Sequence, residues 1–225
     1  MATFFLGVRL VASQKYPSFG TCMKSPHYLD DLLVHLLELR VHLGNPILDT
    51  LAGDLPKTVG KIRECQPKTL PVLAHFDAAI VSCPPASRAL LEHLFRFREA
   101  LFWGQTYTEE DFGTDFLKSY GWTEFAGLRG PIPSQSTACG VLFLGPNTKY
   151  PLHSHQAEEV YVVLSGTAFW KMGSDDWAER RPLEVIHHES WTPHAMQTGA
   201  EPLIAMYLWR GGDLKQKSMI DYTPE

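Results

Sequence analysis

The chain has 225 residues, 44% of them hydrophobic. That is enough for one or two domains around a sizeable core, and it excludes intrinsic disorder. Twenty Lys and Arg against 25 Asp and Glu give a formal charge of -5, so no basic surface is available for nucleic acid. No stretch approaches the roughly 18 apolar residues of a membrane span. The opening MATFFLGVRLVASQK lacks a charged region ahead of its apolar run, which Arg9 interrupts. A soluble, cytoplasmic protein with no membrane partner is expected.

The first half reads as helical. After Pro26, residues Leu29, Leu32, Leu33, Leu36, Leu37 and Leu43 recur at helical spacing over Tyr28 to Leu43, with Asp30 and Asp31 in the first turn. Gly44, Asn45 and Pro46 end that helix. Pro56, Gly60, Pro67 and Pro71 then fall too densely for a long element. A second helix is predicted from Pro85 to Trp103, with Leu90, Leu91, Leu94, Phe95, Leu101 and Phe102 as its apolar face. A short third helix is predicted over Phe112 to Tyr120, although Gly113 disfavours its start.

The period then changes. From Ser136 to Leu208 the apolar residues come in the short runs CGVLFLG, EVYVVLSG, TAFWKMG, PLEVIHH and PLIAMYLW, separated by turn material. Short strands at this spacing predict an antiparallel barrel or sandwich. The chain accordingly divides into a mainly helical region, 1–130, which covers the barrel or forms a subunit contact, and the barrel core, 131–225. The polar tail after Gly211 is expected to run over the surface. Cys22, Cys65, Cys83 and Cys139 form no CxxC pair and read as buried thiols rather than as a disulfide scaffold.

The chemistry gathers in KYPLHSHQAEEVYVVLSG, Lys149 to Gly166. His153 and His155 are two apart, so on a strand they share a face. Glu159 follows across a short turn, with Tyr161 on its face and Val160, Val162 and Leu164 on the other. Two imidazoles and a carboxylate aimed into a barrel suit one divalent transition metal, Fe, Mn, Co, Ni or Zn, without choosing among them. His194, in SWTPHAM, is the best fourth ligand. One of His187 and His188 is expected to face the interior.

HSHQAEEVYVVLSG resembles the first motif of the cupin superfamily, with His153, His155, Glu159 and Gly166 on its positions and His194 on the histidine of the second motif. The second motif departs from the common pattern, with Glu189 and Trp191 in place of its proline and glycine and Thr198 in place of its asparagine. Taken with WTPHA and YLWRG after a helical half, the chain looks like the bacterial dimethylsulfoniopropionate lyases of the cupin type. The resemblance implies an all-β cupin barrel, an antiparallel jelly-roll, with an N-terminal mainly α-helical region. It implies a metal-dependent lyase that removes the alpha proton of a small zwitterion and expels dimethyl sulfide, leaving acrylate. By the same resemblance Tyr161 is the base and Tyr150 a second tyrosine that positions the substrate. A sulfonium is attracted to ring faces, and Trp191 and Tyr207 are the aromatic residues expected to hold it. Tyr207 and Trp209 share a face, opposite Met206 and Leu208. A homodimer is expected, as is common among cupins. The competing readings are another metal-dependent cupin enzyme, a dioxygenase or sugar isomerase, and a non-catalytic binding cupin.

Overall fold

A computed structural model describes residues 27–221; the expected burial of Cys22 and the surface course of residues 222–225 lie outside them. Helix α1 (His27–Leu43) buries Leu29, Leu32, Leu33, Leu36 and Leu39, and Gly44, at φ 53, closes it in the left-handed region where a side chain is disfavoured. Asn45 then caps α2 (Pro46–Leu51), its side-chain oxygen accepting from the backbone N–H of Ile47 and Leu48 at 3.0 Å each. After α3 (Phe76–Val81) comes α4 (Pro85–Phe97), shorter than its sequence pattern predicts. The chain leaves the helix because Lys68 pairs with Phe102 as extended backbone: Trp103 N–H donates to the Lys68 carbonyl at 2.9 Å and Lys68 N–H to the Leu101 carbonyl at 3.1 Å. Leu101 is still buried, whereas Phe102 is exposed. Helix α5 (Glu109–Lys118) begins earlier than predicted, where Thr108 and Asp111 bond reciprocally, and Gly113 at φ 79 breaks it midway.

Eleven strands follow among the described residues, in two sheets. The six-stranded sheet has the order β2 (Ile132–Pro133), β1 (Tyr120–Gly127), β3 (Thr137–Leu144), β10 (Leu203–Arg210), β5 (Glu158–Ser165), β8 (Val185–His188). The five-stranded sheet runs β11 (Met219–Ile220), β4 (Lys149–Ser154), β9 (His194–Thr198), β6 (Ala168–Met172), β7 (Ala178–Arg180). Every pairing is antiparallel except the two-residue contact of β1 with β2. The sheets close face to face as the cupin jelly-roll. The larger sheet takes β1 from the stretch ahead of residue 131.

The central strands are apolar on both faces because both are covered. Val141, Phe143, Val160, Val162, Ile204 and Met206 pack outward against leucines of α1 and α4. Leu142, Leu144, Val163, Leu203 and Ala205 point inward to meet Trp170 and Met196 of the smaller sheet. Side-chain alternation on β3, β5 and β10 therefore divides one core into a helix-facing layer and a barrel interior. Each fully buried Leu or Phe in either layer contributes about 1.5–3 kcal/mol of burial. Cys83 and Cys139 are buried and Cys65 is half-buried; burial pushes the Cys139 thiol up to about 12, which leaves it inert. Among the described residues no helix is long and apolar enough to cross a membrane.

The segment after Gly211 does more than run over the surface. Leu214 and Ser218 are buried, and β11 pairs with β4 opposite His153 and Ser154. Arg129 donates to the carbonyls of Leu214 and Lys215 at 2.8 Å each, and Lys217 meets Asp111 of α5 at 2.7 Å. These contacts strap the segment across one mouth of the barrel.

Candidate metal centre

Four strands bring the polar residues of the barrel interior together. His153 on β4 pairs in register with His194 on β9, and a register shift between Tyr150 and His153 lets these residues, three apart, turn to the same side. Glu159 and Tyr161 lie on β5, with Glu159 in register with His188 on β8 and with Trp209 on β10. His153, His155, Glu159, His188 and His194 are all buried. Donor atoms of His155, Glu159 and His194 lie within 4.8 Å of one another. His153 stands outside that group, its ring 4.2 Å from that of His194.

Three imidazoles are aimed by the same device. Nδ1 of His153, His155 and His194 lies 2.8, 2.9 and 2.9 Å from the carbonyls of Pro151, Ala157 and Thr192. A carbonyl only accepts, so each Nδ1 carries the hydrogen and each Nε2 keeps its lone pair for the interior. His155 Nε2 then faces Glu159 Oε2 at 3.0 Å, and His194 Nε2 faces the same oxygen at 3.3 Å without hydrogen-bond geometry. Lone pairs opposed to a carboxylate need a cation or a proton between them. Buried Nε2 lone pairs beside an ionised carboxylate are a donor set that fits a divalent first-row metal.

The electrostatics agree with that geometry. Burial opposes ionisation of Glu159, yet His155 and the other histidines hold its carboxyl well below the usual range. Burial works against charge on His155 as well, and Glu159 overrides it and raises that imidazole. Burial and the neighbouring His194 push His153 well below its ordinary value, and the same two causes bring His188 down to about 4.

Trp209 and His188 support the centre, in contacts that the sequence pattern leaves open. Trp209 donates its indole N–H to Glu159 Oε1 at 2.5 Å and packs on His155 with ring centroids 4.2 Å apart. His188 accepts from the Trp170 indole at 3.3 Å, so its Nδ1–H donates to Glu159 Oε2 at 3.4 Å. Trp209 shares its face with Tyr207, which was the available signal. His188 is the member of the histidine pair that faces inward, and His187 lies outside against Glu158.

The tyrosines sit beside this centre. Tyr150 stacks on His153 at 4.2 Å, and its hydroxyl shares a hydrogen bond with Tyr107 at 3.0 Å. Tyr161 packs edge-on to Trp170, its ring 6.4 Å from that of His194. Burial pushes both phenols well above their ordinary value, with Tyr107 adding to the rise of Tyr150 and Glu159 to that of Tyr161. Tyr150, Glu159, Tyr161, Tyr207 and Trp209 all line one cavity. Trp191 does not line it. It is exposed, at φ 65, with its N–H bonded to the His155 carbonyl at 2.8 Å. Trp191 is thus placed outside the cavity that Tyr207 lines, and Trp209 stands in the wall beside Tyr207.

The profile of the dimethylsulfoniopropionate lyases matches residues 50–205. The chain belongs to the dimethylsulfoniopropionate lyase family. Among curated members, it is 34% identical over 120 residues to dimethylsulfoniopropionate lyase DddQ of Ruegeria pomeroyi, covering 53% of this chain and 59% of that one. It is 28% identical over 155 residues to the putative dimethylsulfoniopropionate lyase DddL of Cereibacter sphaeroides, covering 68% and 64%. The chain thus spans about three-fifths of the length of these two relatives. The crystal structure of DddQ from Ruegeria pomeroyi shares 27% identity with a TM-score of 0.78, covering 88% of this chain and 98% of that one. A chain from the crystal structures of the lyases RdDddP and RnDddQII shares 29% identity with a TM-score of 0.74, covering 86% and 99%. Both solved structures cover most of this chain.

Proposed function

We propose that the chain cleaves dimethylsulfoniopropionate into dimethyl sulfide and acrylate, using one divalent transition metal held by His153, His155, Glu159 and His194. The observation that supports the reading is the buried group of His155, Glu159 and His194, whose Glu159 lines one cavity together with Tyr161, in a chain of this family. When bound, the cation supplies Lewis-acid polarisation of the substrate carboxylate and a positive field that favours an ionised phenol beside it.

The remaining work belongs to the chain. Tyr161 Oη takes the proton from the carbon next to the carboxylate. The electron pair of that C–H bond becomes the second bond of the alkene, and the bond from the beta carbon to sulfur breaks with its pair leaving on sulfur. Dimethyl sulfide departs neutral, so the leaving group needs no acid. Tyr150, fixed by its stack on His153 and its bond to Tyr107, positions the substrate. Tyr120, Trp122 and Leu142 line the same cavity and keep the reacting carbon away from bulk water.

A cytoplasmic homodimer belongs to the same proposal. Val34, Leu37 and Val41 are exposed at helical spacing on α1, an apolar stripe suited to a second copy.

Anaerobic incubation of metal-loaded protein with dimethylsulfoniopropionate, followed by headspace analysis, separates the readings. Dimethyl sulfide is expected without oxygen. A dioxygenase would stay silent until oxygen is admitted, and a binding module would release nothing under either condition.

A further inference from the structure

Opposite the histidines, one row of residues crosses the six-stranded sheet in register: Glu124 on β1, Gly140 on β3, Tyr207 on β10 and Tyr161 on β5. Gly140 leaves the middle of that row open. A Cβ there would collide with the Thr123 carbonyl and come 2.7 Å from Tyr207 Oη, so the Tyr207 phenol lies over the glycine, on the side of Glu124. The cavity is lined by Glu159 and Tyr161, by Glu124 with Arg129, and by the aromatic residues Trp122, Tyr207 and Trp209.

Glu124 has no part in the chemistry proposed above, yet it is a buried carboxylate facing the cavity. Its Oε1 accepts from the backbone N–H of Arg129 at 2.6 Å and of Gly130 at 2.8 Å. Oε2 lies 3.8 Å from the Arg129 guanidinium, and Arg63 also acts on the carboxyl from a distance. The Arg129 guanidinium is committed elsewhere, donating to the Leu214 and Lys215 carbonyls. It is also a third exposed, against 3% for the Glu124 side chain, so solvent screens the arginine and not the carboxylate. Burial raises the Glu124 carboxyl in spite of these donors. Such an under-compensated group gains most from a cation brought beside it.

We propose that Glu124 is the counter-charge for the cationic end of the substrate, so that the cavity selects a zwitterion by both of its ends. This rests on the lyase reading and deepens it. The anionic end belongs with Glu159 and the metal it holds, and the sulfonium lies against Tyr207 and Trp209 with Glu124 behind them, since the Trp122 ring already carries the Arg129 guanidinium at 5.6 Å. An aromatic wall alone attracts a cation modestly; a buried carboxylate adds discrimination against an uncharged tail of the same shape.

Two probes isolate the charge. 3-(Trimethylammonio)propanoate and 4,4-dimethylpentanoate have the same shape and differ only in a positive nitrogen in place of a carbon. Their dissociation constants are measured calorimetrically on the metal-loaded full chain, beside bound metal and dimethyl sulfide release. The parent is expected to prefer the ammonium probe by roughly 10-fold or more. Glu124→Gln keeps an oxygen for the two backbone donors and should reduce the preference to within about threefold, leaving bound metal and the affinity for 4,4-dimethylpentanoate unchanged. Glu124→Asp should keep the preference. Retention of the full preference in Glu124→Gln, or its absence from the parent, overturns the assignment while dimethyl sulfide release leaves the lyase reading standing. A parent that binds neither probe and releases no dimethyl sulfide overturns both.

Discussion

Tyr161→Phe is expected to slow dimethyl sulfide release by roughly 100-fold or more, the scale on which general base catalysis is lost, with bound metal unchanged. The ring keeps its packing against Trp170 and Ile186 in the barrel interior, and only the oxygen next to Glu159 disappears. The donor atoms of His155, Glu159 and His194 are untouched, and Glu159 retains its bonds from Trp209 and His188. Turnover measured beside elemental analysis on the same preparation checks both halves. Activity within threefold of the parent would move the base elsewhere. Tyr150 would be next, although its hydroxyl is already engaged by Tyr107.

His155→Ala and His194→Ala should each abolish most metal binding, with at least the 10- to 100-fold loss of affinity that even an orienting partner of a ligand costs. Each removes an Nε2 aimed at Glu159 Oε2, and no described side chain stands ready to replace it: the His188 lone pair is taken by the Trp170 indole. Elemental analysis after dialysis reads the result. Full stoichiometry in both variants would remove the centre from this part of the barrel.

Much of this was legible in the sequence because strand period is a strong constraint. Glu159 and Tyr161 share a face, and so do Tyr207 and Trp209, wherever the strands go. The helix-facing side of β5 follows from the same parity. What stayed hidden depends on partners distant in sequence. The second predicted helix stops at Phe97 because Lys68 pairs with the chain leading to Trp103, some 35 residues later, a non-local bond that no periodicity carries. Strand β1 follows directly on α5, and its residues YGWTEFAG form no apolar run like those of β3 and β5. Trp191 lies exposed on a backbone turned at positive φ, which composition does not signal. Trp209 was on the correct face from the start, and only the register of β10 with β5 sets it against Glu159.

Metal-dependent elimination is the reaction proposed for this chain. Proton NMR tests it most directly, following dimethylsulfoniopropionate with chelator-treated protein and then with the same protein after metal is restored. Equal amounts of acrylate and dimethyl sulfide should appear only after the restoration. Equal product from the metal-free chain, or none from either, would contradict the account.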